Sequence, residues 1–335
     1  MLLKWFWIND FNMWRLLIVI LAITAVGCKK QSTNCDVPCT YTEQLLFQTG
    51  FNETTIVNGE YNDAIFSGAD PDLEDANDWD EFQNHSTIGT AKISYEDGSD
   101  SQRLASVIDD PDSPGNAILK FNIKEPHIKE GSHKKGRVQL NVNNNKCIRE
   151  IYQTVRVKFH SDMSILKEWE EPIHWLSIFE FWNNADWTKE KFPFRVTVNL
   201  NKSERGPVDN IFFNVKGDYK KNCKVCKWHD DWDQTNTEFP ILFGEWMEIE
   251  LYLKEGDKDN GRFYMAVTPE GGAKQVLFDI TNRTQHEKEK CPDGYTQMQP
   301  LKLYTSDKLI NYMSDQNKEL SVYWDDWKFY INKTY

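Results

Sequence analysis

Four short segments of the chain, 136–142, 173–182, 194–200 and 301–304, alternate apolar residues with residues that bind polar ligands or transfer protons. Successive side chains of a strand point to opposite faces, so each segment predicts a strand with one polar face. The polar faces carry Arg137, Gln139, Asn141, His174, Glu180, Trp182, Arg195, Thr197, Asn199, Lys302 and Tyr304. A solvated face of an antiparallel sheet alone would explain this alternation. Because Arg, Asn, Gln, His and aromatic residues recognise hydroxyl and carboxylate groups, the composition favours a shared ligand-binding surface.

The segments that position these side chains are predicted to belong to a structure made mainly of strands. Alternating stretches recur between clusters of Gly, Pro, Asn and Asp, which is typical of strands and turns. The strands are predicted at 117–123, 136–142, 151–160, 173–182, 194–200, 211–216, 246–253, 261–268, 301–304 and 321–330. Only 306–313 predicts a helix, capped by Ser306. We expect an all-β fold, an antiparallel β-sandwich with few short helices, formed by residues 41–335 as a single domain.

The N-terminal residues resemble the signal peptide and lipidation site of a bacterial lipoprotein. Two positive charges precede an apolar run at 16–27, which ends at Cys28. The resemblance implies that residues 1–27 are removed, that Cys28 carries lipid such as palmitate, and that 28–40 is a tether. Two lysines follow Cys28 instead of an acidic retention signal, which favours the outer membrane or cell surface. A transmembrane anchor with an incidental cysteine, and a true start at Met13, remain alternatives.

Charge and aromatic content narrow the class of partner. The sequence has 39 Lys and Arg against 52 Asp and Glu, which gives a formal net charge of −13. Nucleic acid phosphates require a basic footprint, so this charge argues against a nucleic acid partner. Thirteen Trp and 13 Tyr are present, and aromatic faces exposed in a groove bind the apolar faces of sugar rings. We expect a monomer that binds a polysaccharide, and an anionic polysaccharide would require a locally basic groove.

Six cysteines remain besides the lipidation site, an even number that suits an oxidising compartment. They are Cys35, Cys39, Cys147, Cys223, Cys226 and Cys291. Sequence alone allows fifteen pairings for three disulfides. Cys223 and Cys226 also have the spacing of a zinc knuckle or a redox pair, with His229 nearby. Zinc would need a matching second pair, so a structural disulfide is the favoured interpretation of this loop.

The order of these pieces resembles the jelly-roll polysaccharide lyases of the heparin-lyase and glucuronan-lyase type, which are concanavalin-like sandwiches. An Arg-bearing strand at 136–142 comes early, a segment with His174 lies in the middle, and 301–304 precedes the aromatic and acidic sequence 323–327. The resemblance spans roughly residues 45–332. It implies cleavage of a uronate-containing glycan by β-elimination.

The resemblance also implies a role for individual residues. In these lyases an Arg, Gln or Asn neutralises the uronate carboxylate, a His or Tyr removes the neighbouring proton, and a Tyr protonates the leaving oxygen. The matching residues are Arg137 and Gln139 for neutralisation, His174 as the base, and Tyr304 as the acid or as both acid and base. The side chains expected to bind substrate around them are Gln139, Asn141, Glu180, Trp182, Arg195, Asn199 and Lys302.

Three other functions stay open at this point. A retaining glycoside hydrolase on a similar sandwich needs two carboxylates about 5–5.5 Å apart. Residues 180–186 lack the Glu-x-Asp-x-x-Glu spacing of laminarinase-like enzymes, which disfavours this chemistry. A non-catalytic glycan-binding lipoprotein would use the same polar surface without a working base. A purely structural surface lipoprotein would not use that surface at all.

The expected reaction requires no cofactor, but a structural calcium ion is predicted between the first and last strands. Jelly-roll carbohydrate proteins often join these two strands through calcium, which prefers hard oxygen ligands. Glu53, or Asn52 beside it, is the ligand expected near the first strand. Asp325, or Asp326 beside it, is the ligand expected near the last strand.

Overall fold

The computed structural model describes residues 42–52, 54–60, 62–131, 133–220 and 227–335. Several predictions therefore concern residues outside the described ranges, namely those for the leader, Cys28, Cys35, Cys39, Glu53, Cys223 and Cys226. Cys147 and Cys291 lie within the described ranges and are disulfide-bonded.

Strands dominate the described residues. They are β1 (Gln44–Thr49), β2 (Ile56–Glu60), β3 (Asp63–Ser67), β4 (Thr90–Ser94), β5 (Arg103–Asp110), β6 (Ser113–Ile123), β7 (Ile128–Glu130), β8 (His133–Asn143), β9 (Glu150–Phe159), β10 (Leu176–Asn183), β11 (Phe194–Asn201), β12 (Phe212–Lys220), β13 (Trp228–Pro240), β14 (Trp246–Lys254), β15 (Arg262–Pro269), β16 (Gln275–Thr281), β17 (Gln297–Ser306) and β18 (Leu320–Ile331). The helices in the same ranges are α1 (Trp79–Gln83), a 3₁₀ helix (Ser161–Glu168) and α2 (Asp307–Asp315).

The strands form two antiparallel sheets. The first sheet has the order β16-β15-β14-β9-β18-β6-β5, with β1 also paired to β18. The second sheet has the order β13-β12-β11-β10-β17-β8-β4-β3-β2, with β7 also paired to β8. The predicted all-β antiparallel sandwich is confirmed. The predicted helix is α2, whose first turn is capped by Ser306 as its side chain accepts a hydrogen bond from the Leu309 N–H.

A single large core lies between the sheets, and alternation along the strands decides which side chains enter it. Val138, Leu140 and Val142 of β8 are fully buried, as are Val196 and Val198 of β11. Burying one such side chain stabilises the fold by about 1.5–3 kcal/mol. Because the period of a strand is two, the same burial turns the intervening polar residues of β8 and β11 away from the core.

The strand predicted at 173–182 departs from strict alternation because it contains a bulge. The pairing register of β10 shifts just after Ser177, and a bulge reverses the alternation beyond it. Ile178 therefore packs in the core, although simple alternation puts it on the same face as Glu180. The strand also begins two residues after His174, whose side chain is exposed in the preceding segment. The prediction that His174 belongs to this strand was wrong.

A buried carboxylate after the end of β14 gives folding stability a testable pH dependence. Glu255 accepts hydrogen bonds from Asn183 Nδ2 at 2.9 Å, Gly294 N at 3.2 Å and Arg149 Nε at 2.8 Å. Burial raises the pKa of Glu255 to about 7, although Arg149 acts in the opposite direction. The folded state therefore holds an extra proton between about pH 4.5 and pH 7. The resulting contribution to stability is present below this window and is lost as the pH rises through it.

We expect Glu255→Gln to lack this loss of stability. Its free energy of unfolding relative to wild type should rise by up to about 3 kcal/mol between about pH 4.5 and pH 7.5. Urea unfolding at the two pH values measures this difference, and the exposed Glu245→Gln serves as the matched control. A pH dependence of Glu255→Gln equal to that of wild type would contradict the assignment.

Candidate active site

A cleft of about 720 Å³ opens on the polar face of the second sheet. Its floor is formed by β8, β17, β10 and β11, which are consecutive neighbours in that sheet. The lining residues are Glu96, Lys135, Arg137, Gln139, Asn141, Asn143, Trp175, Glu180, Trp182, Asp186, Trp187, Arg195, Trp228, Gln299, Lys302 and Tyr304. The cleft thus brings together eight of the ten residues predicted to bind substrate or act on it.

Cross-strand register explains why these residues meet. Tyr304 of β17 lies opposite Arg137 of β8 on one side and opposite Ser177 of β10 on the other. Lys302 lies opposite Gln139 in the same ladder. Opposed side chains on one face of a sheet have Cβ atoms about 4.5–5.5 Å apart, so each pair shares a small patch of the cleft floor.

Tyr304 is surrounded by cations. The Arg137 guanidinium carbon lies 4.5 Å from the centre of the Tyr304 ring, and the amino groups of Lys302 and Lys135 lie 4.7 and 5.4 Å from it. The Trp175 ring packs edge-on against Tyr304 at 4.6 Å. Burial lowers the pKa of Lys302 well below its usual value, and Arg137 and Lys135 act in the same direction. The cations around Tyr304 suit this end of the cleft to negative charge, and a carboxylate bound there would favour the charged form of Lys302.

A chain of ion pairs fixes the side chains next to Tyr304. Glu180 Oε2 contacts Lys302 Nζ, and Glu180 Oε1 accepts a hydrogen bond from Arg195 Nη1 at 3.0 Å. Arg195 in turn donates to both carboxylate oxygens of Asp218, at 2.6 and 2.9 Å. Glu180 and Lys302 are buried, and removing one member of such a pair costs about 3–5 kcal/mol. Glu180 therefore positions Lys302 and Arg195, and each of its two carboxylate oxygens is engaged by one of these cations.

Side-chain amides line the cleft floor beyond Lys302. Gln139 Nε2 donates to Asn141 Oδ1 at 2.6 Å, and Gln299 Nε2 donates to Asn143 Oδ1 at 3.5 Å. Gln139 Oε1 and Gln299 Oε1 are buried and have no hydrogen-bond partner among the described residues. Buried polar atoms usually have partners, so these amides are suited to hydroxyl groups of a ligand.

Each of the three carboxylates that line the cleft is ion-paired. Glu96 pairs with Arg137, and Asp186 pairs with Lys220 at 2.7 Å. Glu180 pairs with Lys302 and Arg195, as described above. A glycoside hydrolase needs one carboxyl group as a proton donor and another as a nucleophile or base. Each of these three carboxylates is instead engaged by a cation, which disfavours both roles.

The lining charges make the cleft basic in an acidic protein. Four cationic side chains line it, namely Lys135, Arg137, Arg195 and Lys302, against the three carboxylates. The whole chain has a formal net charge of −13. The positive charge is therefore concentrated locally, as binding of an anionic polymer requires.

The other two predicted residues, His174 and Asn199, line a smaller pocket of about 140 Å³ beside the cleft. Tyr304 lines both cavities. Asn199 accepts a hydrogen bond from Ser177 Oγ at 2.6 Å and donates to Thr197 Oγ1 at 3.2 Å. His174 and Tyr304 thus border the same space, although His174 does not lie on the strand predicted for it.

The predicted calcium site is only partly described. Asp325 Oδ2 accepts hydrogen bonds from Asn116 Nδ2 and Arg156 Nη1, both at 3.1 Å. Burial raises the pKa of Asp325 to about 6, and the neighbouring Asp326 adds to this effect. The described residues contain no group of three or more His, Cys, Asp and Glu side chains that could hold a metal ion. Because Glu53 lies outside the described ranges, calcium binding stays a prediction.

Eight lining residues were missed by the sequence analysis. Lys135 belongs to β8, which begins at His133, and it shares the face of Arg137; extending the alternation by one step would have found it. Gln299 is displaced by a bulge in β17 that no sequence pattern indicates. The other six are Glu96, Asn143, Trp175, Asp186, Trp187 and Trp228, which lie in or beside loops or at strand ends.

In the part of the chain that the structure describes, every helix is too short or too polar to cross a membrane.

Comparison with solved structures finds a likeness in fold to polysaccharide lyases. The marine alginate lyase from Aplysia kurodai aligns at a TM-score of 0.44 with 12% identity, covering 71% of this chain and 89% of that chain. The endo-β-1,4-glucuronan lyase from the fungus Trichoderma reesei aligns at a TM-score of 0.41 with 12% identity, covering 81% of this chain and 94% of that chain. The alginate lyase Aly36B aligns at a TM-score of 0.41 with 13% identity, covering 74% of this chain and 93% of that chain.

No protein-family model and no curated protein matches the chain. The solved structures that align with the chain include polysaccharide lyases of the kind named in the predicted resemblance, at TM-scores of 0.41 to 0.44.

Proposed function

We propose that this protein cleaves a uronate-containing polysaccharide by β-elimination in the cleft of the second sheet. One observation carries the proposal. All three carboxylates that line the cleft are ion-paired, whereas Arg137, Lys302 and Lys135 converge on the ring of Tyr304. This arrangement favours a reaction that stabilises negative charge and transfers protons through Tyr or His over one that needs two available carboxyl groups.

The proposed reaction begins with neutralisation of the substrate carboxylate. Arg137 and Gln139 bind the uronate carboxylate, and the nearby lysines add positive charge. Neutralisation lets the negative charge that follows loss of the neighbouring C–H proton spread onto the carboxylate oxygens. A preorganised cation is effective here because it does not reorganise as the charge develops.

Two proton transfers complete the elimination. His174, which lines the smaller pocket beside the cleft, removes the proton from C5 of the uronate. The electron pair left at C5 forms a double bond to C4 as the bond from C4 to the glycosidic oxygen breaks. The Tyr304 hydroxyl gives its proton to that oxygen. The products are a chain with an unsaturated uronate at its new end and a chain with a new hydroxyl group.

A substrate panel tests the proposal directly. Alginate, polyglucuronate and sulfated glycosaminoglycans are incubated with the protein, with laminarin as the neutral control, and both ultraviolet absorbance and reducing ends are followed. Absorbance growing in step with reducing ends on at least one uronate polymer is the expected result. Reducing ends without absorbance would indicate hydrolysis. Retention in a glycan gel without either signal would indicate the alternative function of a non-catalytic glycan-binding protein.

We further propose that lipid on Cys28 anchors the protein at the outer membrane or cell surface, where polysaccharide is accessible. The support is the apolar run ending at Cys28 and the lysines that follow it. Mass spectrometry of the N-terminal peptide is expected to find acylated Cys28. An unmodified peptide that retains residues 1–27 would contradict both the cleavage and the anchor.

A further inference from the structure

Three tryptophans occupy the end of the cleft away from Tyr304. Ser177, near the start of β10, lies opposite Tyr304, whereas Trp182 is near the end of the same strand. The five steps along the strand from Ser177 to Trp182 span at most about 17 Å at about 3.3 Å per residue. The tryptophan end of the cleft is therefore separate from the reacting groups, at a distance that a few linked sugar rings can span.

Trp187 and Trp228 both pack against Trp182 with their rings steeply inclined to it. The ring centres lie 4.7 and 5.3 Å from that of Trp182, and both interplanar angles are 73°. The Arg195 guanidinium carbon lies 4.4 Å from the centre of the Trp228 ring and so covers one of its faces. Trp187 is 54% exposed. The Trp187 ring is therefore the open surface of this cluster.

The loop that carries Trp187 is held on both sides of the residue. Asp186 pairs with Lys220 at 2.7 Å. Thr188 donates hydrogen bonds to the Ala185 carbonyl from its N–H at 3.1 Å and from its hydroxyl at 2.6 Å. An aromatic ring that lines the cleft and is held in position offers its exposed apolar face to a ligand. Fixing the ring in advance also lowers the entropy cost of binding a ligand to it.

An unsatisfied donor at the base of the cluster points to a polar ligand. The Trp182 side chain is 3% exposed, and its indole N–H has no acceptor among the described residues. A buried indole N–H usually has a partner. A sugar hydroxyl supplies such an acceptor, and the apolar face of the same ring would cover Trp187.

We propose that Trp182, Trp187 and Trp228 form a distal subsite that stacks on a pyranose ring of the bound polysaccharide, several residues from the bond that is cleaved. This inference rests on the proposed function. It extends that function, because the three tryptophans would make the cleft bind long chains in preference to short ones.

Length dependence tests the subsite. The wild type, Trp187→Ala and Trp187→Phe are compared on oligosaccharides of three and six uronate residues. In the wild type the KM falls with length. In Trp187→Ala the ratio of the KM for three residues to that for six should shrink by about tenfold, which is the order of one aromatic contact. Trp187→Phe keeps an aromatic face and should recover most of the ratio.

Affinity electrophoresis in gels containing the same uronate polymers gives a second readout that does not need turnover. Trp187→Ala should be retained about tenfold less strongly than wild type, whereas Val276→Ala, an exposed apolar residue outside the cleft, should not differ from it. A wild type that cleaves the polymer with a length preference unaffected by Trp187→Ala overturns the subsite alone. A wild type that neither cleaves nor binds any uronate polymer overturns the proposed function together with the subsite.

Discussion

Tyr304→Phe is expected to lower the turnover number on the uronate polymer by about 1000-fold or more while retention in a gel of that polymer changes by less than about twofold. The substitution removes only the hydroxyl, which is the proton donor for the leaving oxygen in the proposed reaction. The ring that remains keeps its packing against Trp175 and the cations of Arg137 and Lys302. Initial rates of ultraviolet absorbance and affinity electrophoresis measure the two quantities.

The matched control is Tyr330→Phe, a tyrosine of the first sheet outside the cleft that also lies beneath a lysine. It should keep the turnover of wild type. His174→Ala separates the two proton transfers, and with His174 as the base its turnover should fall by about 100-fold. Full turnover in His174→Ala alone would assign both transfers to Tyr304. Full turnover in both His174→Ala and Tyr304→Phe would contradict the catalytic assignment.

Alternation along the strands was enough to predict the fold and half of the residues that line the cleft. In β8 the step of two puts Val138 and Leu140 in the core, and it necessarily sends Arg137 and Gln139 to the opposite face. A strand that is buried on one face has little freedom of register, because a slip of one residue exposes its whole apolar set. The neighbouring strand order then brings the polar faces together, although the sequence itself does not state that order.

Features that break the alternation were not predictable in the same way. The bulge in β10 moves Ile178 into the core, and the bulge in β17 brings Gln299 to the cleft floor. Bulges depend on pairing with a partner strand, so a single segment carries no periodic signal for them. Trp187 lies in a loop, where no period applies. The ion pairs of Glu180 likewise join residues far apart in the chain, so no spacing in the sequence indicates them.

Arg137→Ala is expected to lower kcat/KM on the uronate polymer by about 100- to 1000-fold. Arg137 supplies the cation nearest to the Tyr304 ring centre, and in the proposed reaction it neutralises the uronate carboxylate. Losing one preorganised group that faces developing charge usually has an effect of this size. Arg262→Ala is the matched control, since Arg262 also pairs with a carboxylate and lies over a tyrosine ring, but outside the cleft. Its kcat/KM should equal that of wild type.

A substrate whose carboxylates are methyl-esterified shows whether Arg137 acts on the negative charge of the substrate carboxylate. The ester has no carboxylate to neutralise, so the difference between wild type and Arg137→Ala should shrink to less than about tenfold on it. This comparison is a cycle in which the protein and the substrate each lose one partner of the same contact, and it isolates that contact from general effects on folding. An equal loss of activity on the ester and the free acid would contradict the role of Arg137 in neutralisation. Arg137 would then act by maintaining the structure of the cleft, through its ion pair with Glu96 and its packing on Tyr304.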